Sequence, residues 1–322
     1  MQILITGGAG FLGQRLAAAL LTRGSLTGPH GQPQSIERIT LLDVVPAATA
    51  DRRVVAVSGD IADAGLLDRL IDTSTTSVFH LAAIVSGMAE AEFDKGMRIN
   101  LDATRALLDV CRARGHRPRF VFTSSCAVFG GALPASVPES TALTPQTSYG
   151  TQKAIGELLV NDYSRRGFVD GRSVRLPTIT VRPGKPNAAA SSFASGIIRE
   201  PLNGEAAICP VGPDTRVWVA SPRSAIAGLI AAHELASDAL GSNRAFCLPG
   251  VSVTVGEMAA ALERAAGADV AARIRWERDP RIEPIVIGWP GEVETPRALA
   301  LGFSRDTSFE EIVREYQAGL EA

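Results

Sequence analysis

Ile3-Leu-Ile-Thr-Gly-Gly-Ala-Gly-Phe-Leu-Gly13 is the stretch of sequence from which the fold can be predicted. The short apolar run Ile3–Thr6 predicts a strand, and Phe11–Arg23 places leucines at helical spacing. The G-x-G-x-x-G pattern between them lets the backbone turn tightly and lets a pyrophosphate approach the helix N-terminus. It predicts a dinucleotide site, although a ligand-free strand–helix turn has the same pattern. The expected contacts are Gly7, Gly10, Phe11, Leu12 and Gly13.

The chain up to about residue 181 alternates short apolar runs with amphipathic segments, as parallel strands joined by helices do. The Gly/Pro/Gln-rich residues 24–35 are expected to form a surface loop. The alternation predicts an α/β fold, a Rossmann-type doubly wound parallel sheet. Further strands are predicted at Ile39–Leu42, Val54–Val57, Ser77–Leu81, Arg119–Ser124 and Ser173–Val181, and helices at Leu66–Asp72, Ile99–Arg114 and Ser148–Arg166.

The sequence pattern changes after Arg182, where prolines interrupt the chain and the regular alternation of apolar runs with amphipathic segments is lost. Arg223–Ala236 and Val255–Ala266 still have the pattern of helices. We therefore predict a Rossmann domain over residues 1–182, with returning segments near 215–245. Residues 183–322 are expected to form mainly a smaller, C-terminal substrate-binding domain.

Composition narrows the class of protein. The 322 residues are 46% hydrophobic and carry a net charge of −2 without a clustered basic excess, so neither nucleic acid nor a membrane is an expected partner. The N-terminus lacks the features of a signal peptide, and no apolar run is long enough to span a bilayer. The four cysteines form no C-x-x-C pair, and they are expected to be buried thiols in a cytoplasmic protein.

Asp43 ends the second predicted strand of the sheet, where an acidic side chain can accept hydrogen bonds from the adenosine ribose hydroxyls. Because it also repels a 2′-phosphate, Asp43 favours NAD over NADP, unless it is merely a turn aspartate. Asp60 and Ile61 follow the third strand, near the expected adenine. Leu81, Ala82 and Ala83 follow the fourth, where small side chains let the backbone approach the dinucleotide. The cofactor expected from these residues is NAD.

Tyr149 and Lys153 are spaced i, i+4 at the start of a predicted helix and therefore share a face. A nearby ammonium group lowers the pKa of a tyrosine, which can then take the proton of a substrate alcohol as hydride leaves the same carbon. A serine hydroxyl from Thr123-Ser-Ser125 could orient that alcohol. Together these residues predict dehydrogenase chemistry. The four histidines are far apart in sequence and indicate no metal site.

The glycine loop, Phe122-Thr-Ser-Ser-Cys-Ala-Val-Phe-Gly130, Ser148-Tyr-Gly-Thr-Gln-Lys153 and Val181-Arg-Pro183 together resemble the extended short-chain dehydrogenase/reductase superfamily. The resemblance implies that Ser125 is the catalytic serine and that its neighbour Ser124 contacts cofactor or substrate. It also implies that Asn100 supports the site through water, that Lys153 holds the nicotinamide ribose, and that Pro183 lies against the nicotinamide.

After Arg182 the chain departs from the nucleotide-sugar enzymes of that superfamily. Residues 175–193 are instead similar to its D-erythronate-oxidising members, which implies NAD-dependent oxidation of the C2 hydroxyl of D-erythronate in sugar-acid catabolism. A small hydroxy acid needs a cation for its carboxylate. Arg182 is expected to pack beneath the site, and Trp218 to be either core or substrate wall. The expected substrate contacts are Ser86, Ser125, Tyr149, Lys185, Asn187 and Arg223.

Two other classes of protein remain open at this point. One is a nucleotide-sugar epimerase or dehydratase with tightly bound NAD, and the other is a cofactor-binding sensor without catalysis. The complete Ser–Tyr–Lys set argues against the sensor. The long helices Asn100–Arg114 and Ser148–Arg166 carry broad apolar faces, and the resemblance implies that they pair two chains into a homodimer.

Overall fold

The structure is a computed structural model that describes residues 1–186 and 189–321. Its strands are β1 Gln2–Thr6, β2 Ser25–Thr27, β3 Pro33–Ser35, β4 Arg38–Asp43, β5 Val54–Ser58, β6 Thr75–His80, β7 Arg119–Ser125, β8 Val137–Pro138, β9 Asp170–Leu176, β10 Thr178–Ile179, β11 Ala207–Cys209, β12 Arg216–Ala220, β13 Ala245–Cys247, β14 Val251–Thr254, β15 Ile274–Trp276 and β16 Val293–Glu294.

The α-helices are α1 Phe11–Arg23, α2 Ala64–Leu70, α3 Ser86–Ala91, α4 Phe93–Gly96, α5 Ala103–Arg114, α6 Ser148–Arg165, α7 Ser192–Leu202, α8 Pro222–Glu234, α9 Val255–Ala266, α10 Ala268–Ala271, α11 Glu283–Ile287, α12 Pro296–Ala300 and α13 Phe309–Glu321. A π-helical turn, Met97–Asp102, leads into α5. None of the helices in the described ranges combines the length and the apolar character that crossing a membrane requires.

Within the described residues, seven parallel strands form the central sheet in the order β13-β9-β7-β6-β1-β4-β5. The strand order reverses between β1 and β6, and in such sheets ligands bind at this switch point, beyond the carboxyl ends of the strands. One face packs on α1 and α8, and the other on α2, α5 and α6. The predicted α/β Rossmann-type sheet is confirmed.

The second half of the chain forms its own core and also returns to the first. Val181, Phe193, Val255 and Phe309 belong to a separate apolar cluster built from α7, α9 and α13. β13 nevertheless pairs with β9 at the edge of the central sheet, so residues 245–247 complete a sheet begun by the N-terminal half. The four cysteines are buried and unpaired, as predicted.

Two sequence-based predictions need correction. Residues 24–35 contain the antiparallel hairpin β2–β3 rather than only a loop. The strand predicted over Ser173–Val181 ends at Leu176, since Pro177 has no N–H to donate to the ladder. The next residues form β10, which joins β12 and β14 in a second small sheet. The carboxyl end of β9 therefore comes five residues earlier than the sequence suggests.

Candidate active site

The glycine loop forms a cradle at the switch point of the sheet. Gly7 has φ of +70°, and a Cβ there would lie 2.8 Å from the backbone nitrogen of Ala82. A Cβ on Gly13 would lie 2.2 Å from the Gly7 carbonyl oxygen, so α1 can pack this closely only without a side chain. Gly10 caps α1 without a side-chain hydrogen bond, which leaves first-turn N–H groups available for a pyrophosphate. The cradle fits a dinucleotide.

The residues expected around the adenosine line one cavity of about 460 Å³. Asp43 stands at the end of β4, where its Oδ2 accepts a hydrogen bond from the Ala9 N–H at 3.0 Å. Asp60 accepts from the Ala62 N–H at 2.9 Å and pairs with Arg98 at 2.7 Å. Arg98 was not foreseen, because it reaches the cavity from a different element of the chain. The sequence-predicted residues that line this cavity are Gly7, Gly10, Asp43, Asp60, Ile61, Leu81, Ala82 and Ala83.

A second cavity, of about 380 Å³, joins the glycine cradle to the predicted catalytic set. The ends of β1, β6, β7 and β9 meet there with the start of α6, so distant parts of the chain share one space. Residues from the irregular segment after β9 close it. The sequence-predicted residues that line it are Gly7, Gly10, Phe11, Leu12, Gly13, Leu81, Ala83, Ser86, Ser124, Ser125, Tyr149 and Lys153.

The start of α6 positions Tyr149 and Lys153. Thr147 caps this helix by accepting the Gly150 N–H at 3.1 Å. Lys153 is 2% exposed; its Nζ donates to the Thr123 carbonyl at 2.8 Å and lies 5.7 Å from the centre of the Tyr149 ring. Burial lowers the pKa of Lys153 to about 7, with the charge of Glu157 opposing the shift. Burial raises the pKa of Tyr149 to about 12, while a hydrogen bond with Ser125 opposes it.

The two adjacent serines have different partners. Ser124 donates to Oε1 of the buried Glu157 at 2.5 Å, and Arg175 holds the same carboxylate through two nitrogens at 2.8 and 2.9 Å. Ser125 faces the reaction side: its Oγ accepts a 3.2 Å bond from the Ala127 N–H, and its side chain also hydrogen-bonds with Tyr149. Glu157 was not foreseen, although its i+4 spacing from Lys153 is a usable signal.

Asn100 and His80 are held by direct hydrogen bonds. Asn100 accepts from the Ile84 N–H at 2.9 Å and donates to Gln152 at 2.8 Å, so it braces the loop after β6 against α6 and does not line the cavity. His80 lies between the hydroxyls of Thr6 and Thr104. Burial, followed by the charge of Lys153, lowers the pKa of His80 to about 3, so the ring is neutral at physiological pH.

Several expected contacts lie elsewhere. Pro183 is exposed and lines neither cavity; Pro177 lines the catalytic cavity instead, since β9 ends earlier than predicted. Arg223 is held by three carboxylates, Asp306, Glu311 and Glu315, at 3.3, 3.0 and 2.9 Å, outside the cavity. The exposed Lys185 does not line the cavity either. Asn187 lies outside the described residues.

Arg182 lines the catalytic cavity rather than packing beneath it. Its backbone N–H donates to Ser195 at 3.0 Å, which fixes the chain at this point. Within residues 1–186 and 189–321, its guanidinium has no carboxylate at ion-pair distance; the neighbouring Arg199 pairs with Glu200 at 2.6 Å. Burial and then repulsion from Arg199 lower the pKa of Arg182. The cavity thus contains an uncompensated guanidinium close to Tyr149.

A Rossmann sheet with a Ser–Tyr–Lys set at its switch point defines an NAD-dependent oxidoreductase of the short-chain dehydrogenase type. The chain belongs to the NAD dependent epimerase/dehydratase family, whose model matches residues 3–223. The superfamily predicted from the sequence motifs and its NAD cofactor are thereby confirmed.

Three similar proteins cover nearly the whole chain. A D-erythronate dehydrogenase of Cupriavidus necator is 62% identical, over 99% of both chains. One of Haemophilus influenzae is 47% identical, over 98% of both. The solved structure described as a nucleoside-diphosphate-sugar epimerase from Agrobacterium tumefaciens is 47% identical and superposes with a TM-score of 0.92 over 98% of this chain and 93% of its own.

Proposed function

We propose that the protein oxidises the C2 hydroxyl of D-erythronate to 2-dehydro-D-erythronate with NAD, as a step in sugar-acid catabolism. The observation that carries this proposal is the uncompensated guanidinium of Arg182, which shares a small cavity with Ser125 and Tyr149. The near-full-length D-erythronate dehydrogenases support it. We further propose that Ser86 contacts the substrate and that Ser124 contacts cofactor or substrate. Ser125, Tyr149 and Lys153 are proposed as the catalytic set, and Arg182 replaces Arg223 as the proposed carboxylate anchor.

Each part of the proposed reaction can be assigned to a residue of this chain. Ser125 holds the reacting oxygen, and Tyr149 takes the proton of the C2 hydroxyl. Lys153, when protonated, stabilises the phenolate form of Tyr149 that accepts this proton. Arg182 binds the carboxylate through charge-assisted hydrogen bonds, which turns C2 toward Tyr149. Bound NAD supplies the acceptor for the hydride that leaves C2.

The proposal is tested by measuring NADH production from a panel of four-carbon sugar acids, with NAD and with NADP. We expect one NADH per D-erythronate oxidised, and faster turnover with NAD because Asp43 would repel a 2′-phosphate. The epimerase or dehydratase alternative, which would keep its NAD bound, is not favoured. Conversion of a nucleotide sugar, with no NADH from any acid, would overturn the proposal.

Replacing Arg182 by leucine is expected to raise the KM for D-erythronate by about 10–150-fold, because a charged hydrogen bond contributes about 1.5–3 kcal/mol. The KM for NAD should change little. Lys185→Leu is the matched control, since it removes an exposed cation outside the cavity. A wild-type KM for D-erythronate in the Arg182 variant would show that the carboxylate binds elsewhere.

We also propose that the protein is a homodimer that pairs through α5 and α6. Ile155 and Leu158 lie along the open side of α6, and Leu158 is 67% exposed. Leu158→Glu should halve the mass measured by light scattering at micromolar concentration, since an unpaired charge at an apolar interface is costly. The matched control is Leu299→Glu on α12, where the leucine is 49% exposed. A monomeric mass for the unaltered protein would refute the dimer.

The unpaired thiols are relevant to the cellular location of the protein. Four buried cysteines without a disulfide fit a reducing compartment. Together with the NAD-dependent reaction proposed above, they support a cytoplasmic location.

A further inference from the structure

Trp289 follows α11, between Gly288 and Pro290, and lines the catalytic cavity together with Arg182, Ser191 and Tyr149. The other tryptophan considered as a substrate wall, Trp218, is buried in the core instead. The ring at position 289 is thus the aromatic wall of the cavity proposed for the substrate.

A separate groove of about 570 Å³ lies beyond this wall. Within the described parts of the chain, Trp289 is the one residue that lines both the catalytic cavity and this groove. Arg216, which contacts Ser252 at 3.3 Å, and Arg278, which pairs with Glu283 at 3.5 Å, also line this groove. Such a lining of charged side chains can hydrogen-bond the hydroxyl groups of a sugar acid.

The catalytic cavity itself leaves little room. Its volume of about 380 Å³ is near the lower end of the roughly 300–1,000 Å³ typical of ligand sites, and the glycine cradle shows that part of it serves the cofactor. The indole Nε1 of Trp289 is buried, and none of the described residues accepts a hydrogen bond from it. Packing, rather than a hydrogen bond to a described residue, therefore holds the ring in place.

We propose that Trp289 fixes the length of the acid that the enzyme accepts, by separating the catalytic cavity from the groove of Arg216 and Arg278. A chain of more than four carbons meets the indole before its carboxylate reaches Arg182. Removing the ring joins the two spaces and makes room for aldonic acids of five and six carbons. The inference rests on the proposed function of the same site.

The test compares kcat/KM for aldonic acids of four, five and six carbons in the unaltered enzyme, Trp289→Ala and Trp289→Phe, at saturating NAD. In Trp289→Ala, the five-carbon to four-carbon ratio should rise at least tenfold, whereas Trp289→Phe should keep the original ratio because it keeps most of the ring volume. Trp276→Ala, which removes a 43% exposed tryptophan on β15, is the control.

An unchanged ratio in a folded Trp289→Ala enzyme, with an unaltered thermal transition, would overturn the proposal. If that variant does not fold, Trp289→Leu replaces it, and the same ratio decides. Failure of the proposed function is seen separately, because the unaltered enzyme would then release no NADH with any of these acids.

Discussion

Replacing Tyr149 by phenylalanine is expected to lower kcat for D-erythronate oxidation by about 10²–10⁴-fold, the usual contribution of a positioned acid–base group. The Tyr149 oxygen, which accepts the substrate proton as a phenolate, is lost, while the ring and the glycine cradle remain. The KM for NAD should therefore change little. The measurement is steady-state NADH production together with NAD binding.

Tyr163→Phe is the matched control, because Tyr163 stands on the same helix but bonds Asp109 at 2.7 Å and does not line the cavity. The base must lose its proton before it can accept another, so kcat of the unaltered enzyme should rise with pH along its acidic limb. The residual activity of Tyr149→Phe should lose that dependence. A kcat of Tyr149→Phe within a few fold of the original would show that Tyr149 is not the base in this reaction.

Glu157→Gln is expected to cost about 3–5 kcal/mol in the free energy of unfolding, since it leaves Arg175 buried without its carboxylate partner. It should also move a pH profile. Burial lowers the pKa of Lys153 to about 7 and Glu157 opposes that shift, so the substitution lowers the Lys153 pKa further. The alkaline limb of kcat/KM, where Lys153 loses its charge, should therefore move to lower pH.

Urea denaturation measures the stability change, and a pH series of kcat/KM measures the effect on Lys153. Glu310→Gln serves as the matched control, because its partners Arg264 and Arg314 lie on the surface. This substitution should leave the free energy of unfolding and the pH profile of kcat/KM unchanged. A destabilised Glu157→Gln enzyme whose pH profile is unaltered would limit Glu157 to a structural role.

Sequence patterns predicted best what depends on neighbouring residues. α1 and α9 have the predicted bounds, because glycine, leucine spacing and a capping Thr–Glu pair are local signals. The catalytic pair proposed here, Tyr149 and Lys153, was predicted from its spacing on one helix. The strand predicted through Pro177 was wrong although the signal against it is local, because proline has no N–H to donate to the ladder.

What the sequence could not show depends on contacts between distant segments. The acids that hold Arg223 lie more than 80 residues further along the chain, so nothing near position 223 indicates that it is already paired. Arg182 and Trp289 meet in one cavity only because the irregular second half folds back over the sheet. No pattern in the sequence around either residue indicates that the two line the same cavity.

The late return of β13 to the central sheet has a consequence for folding during synthesis. Until residues 245–247 are made, β9 is a bare edge, open to pairing with another chain and hence to aggregation. Phe246 in turn packs on Phe303, 5.0 Å between ring centres. A fragment cut at residue 182 should therefore aggregate rather than fold, because it lacks the strand that covers this edge.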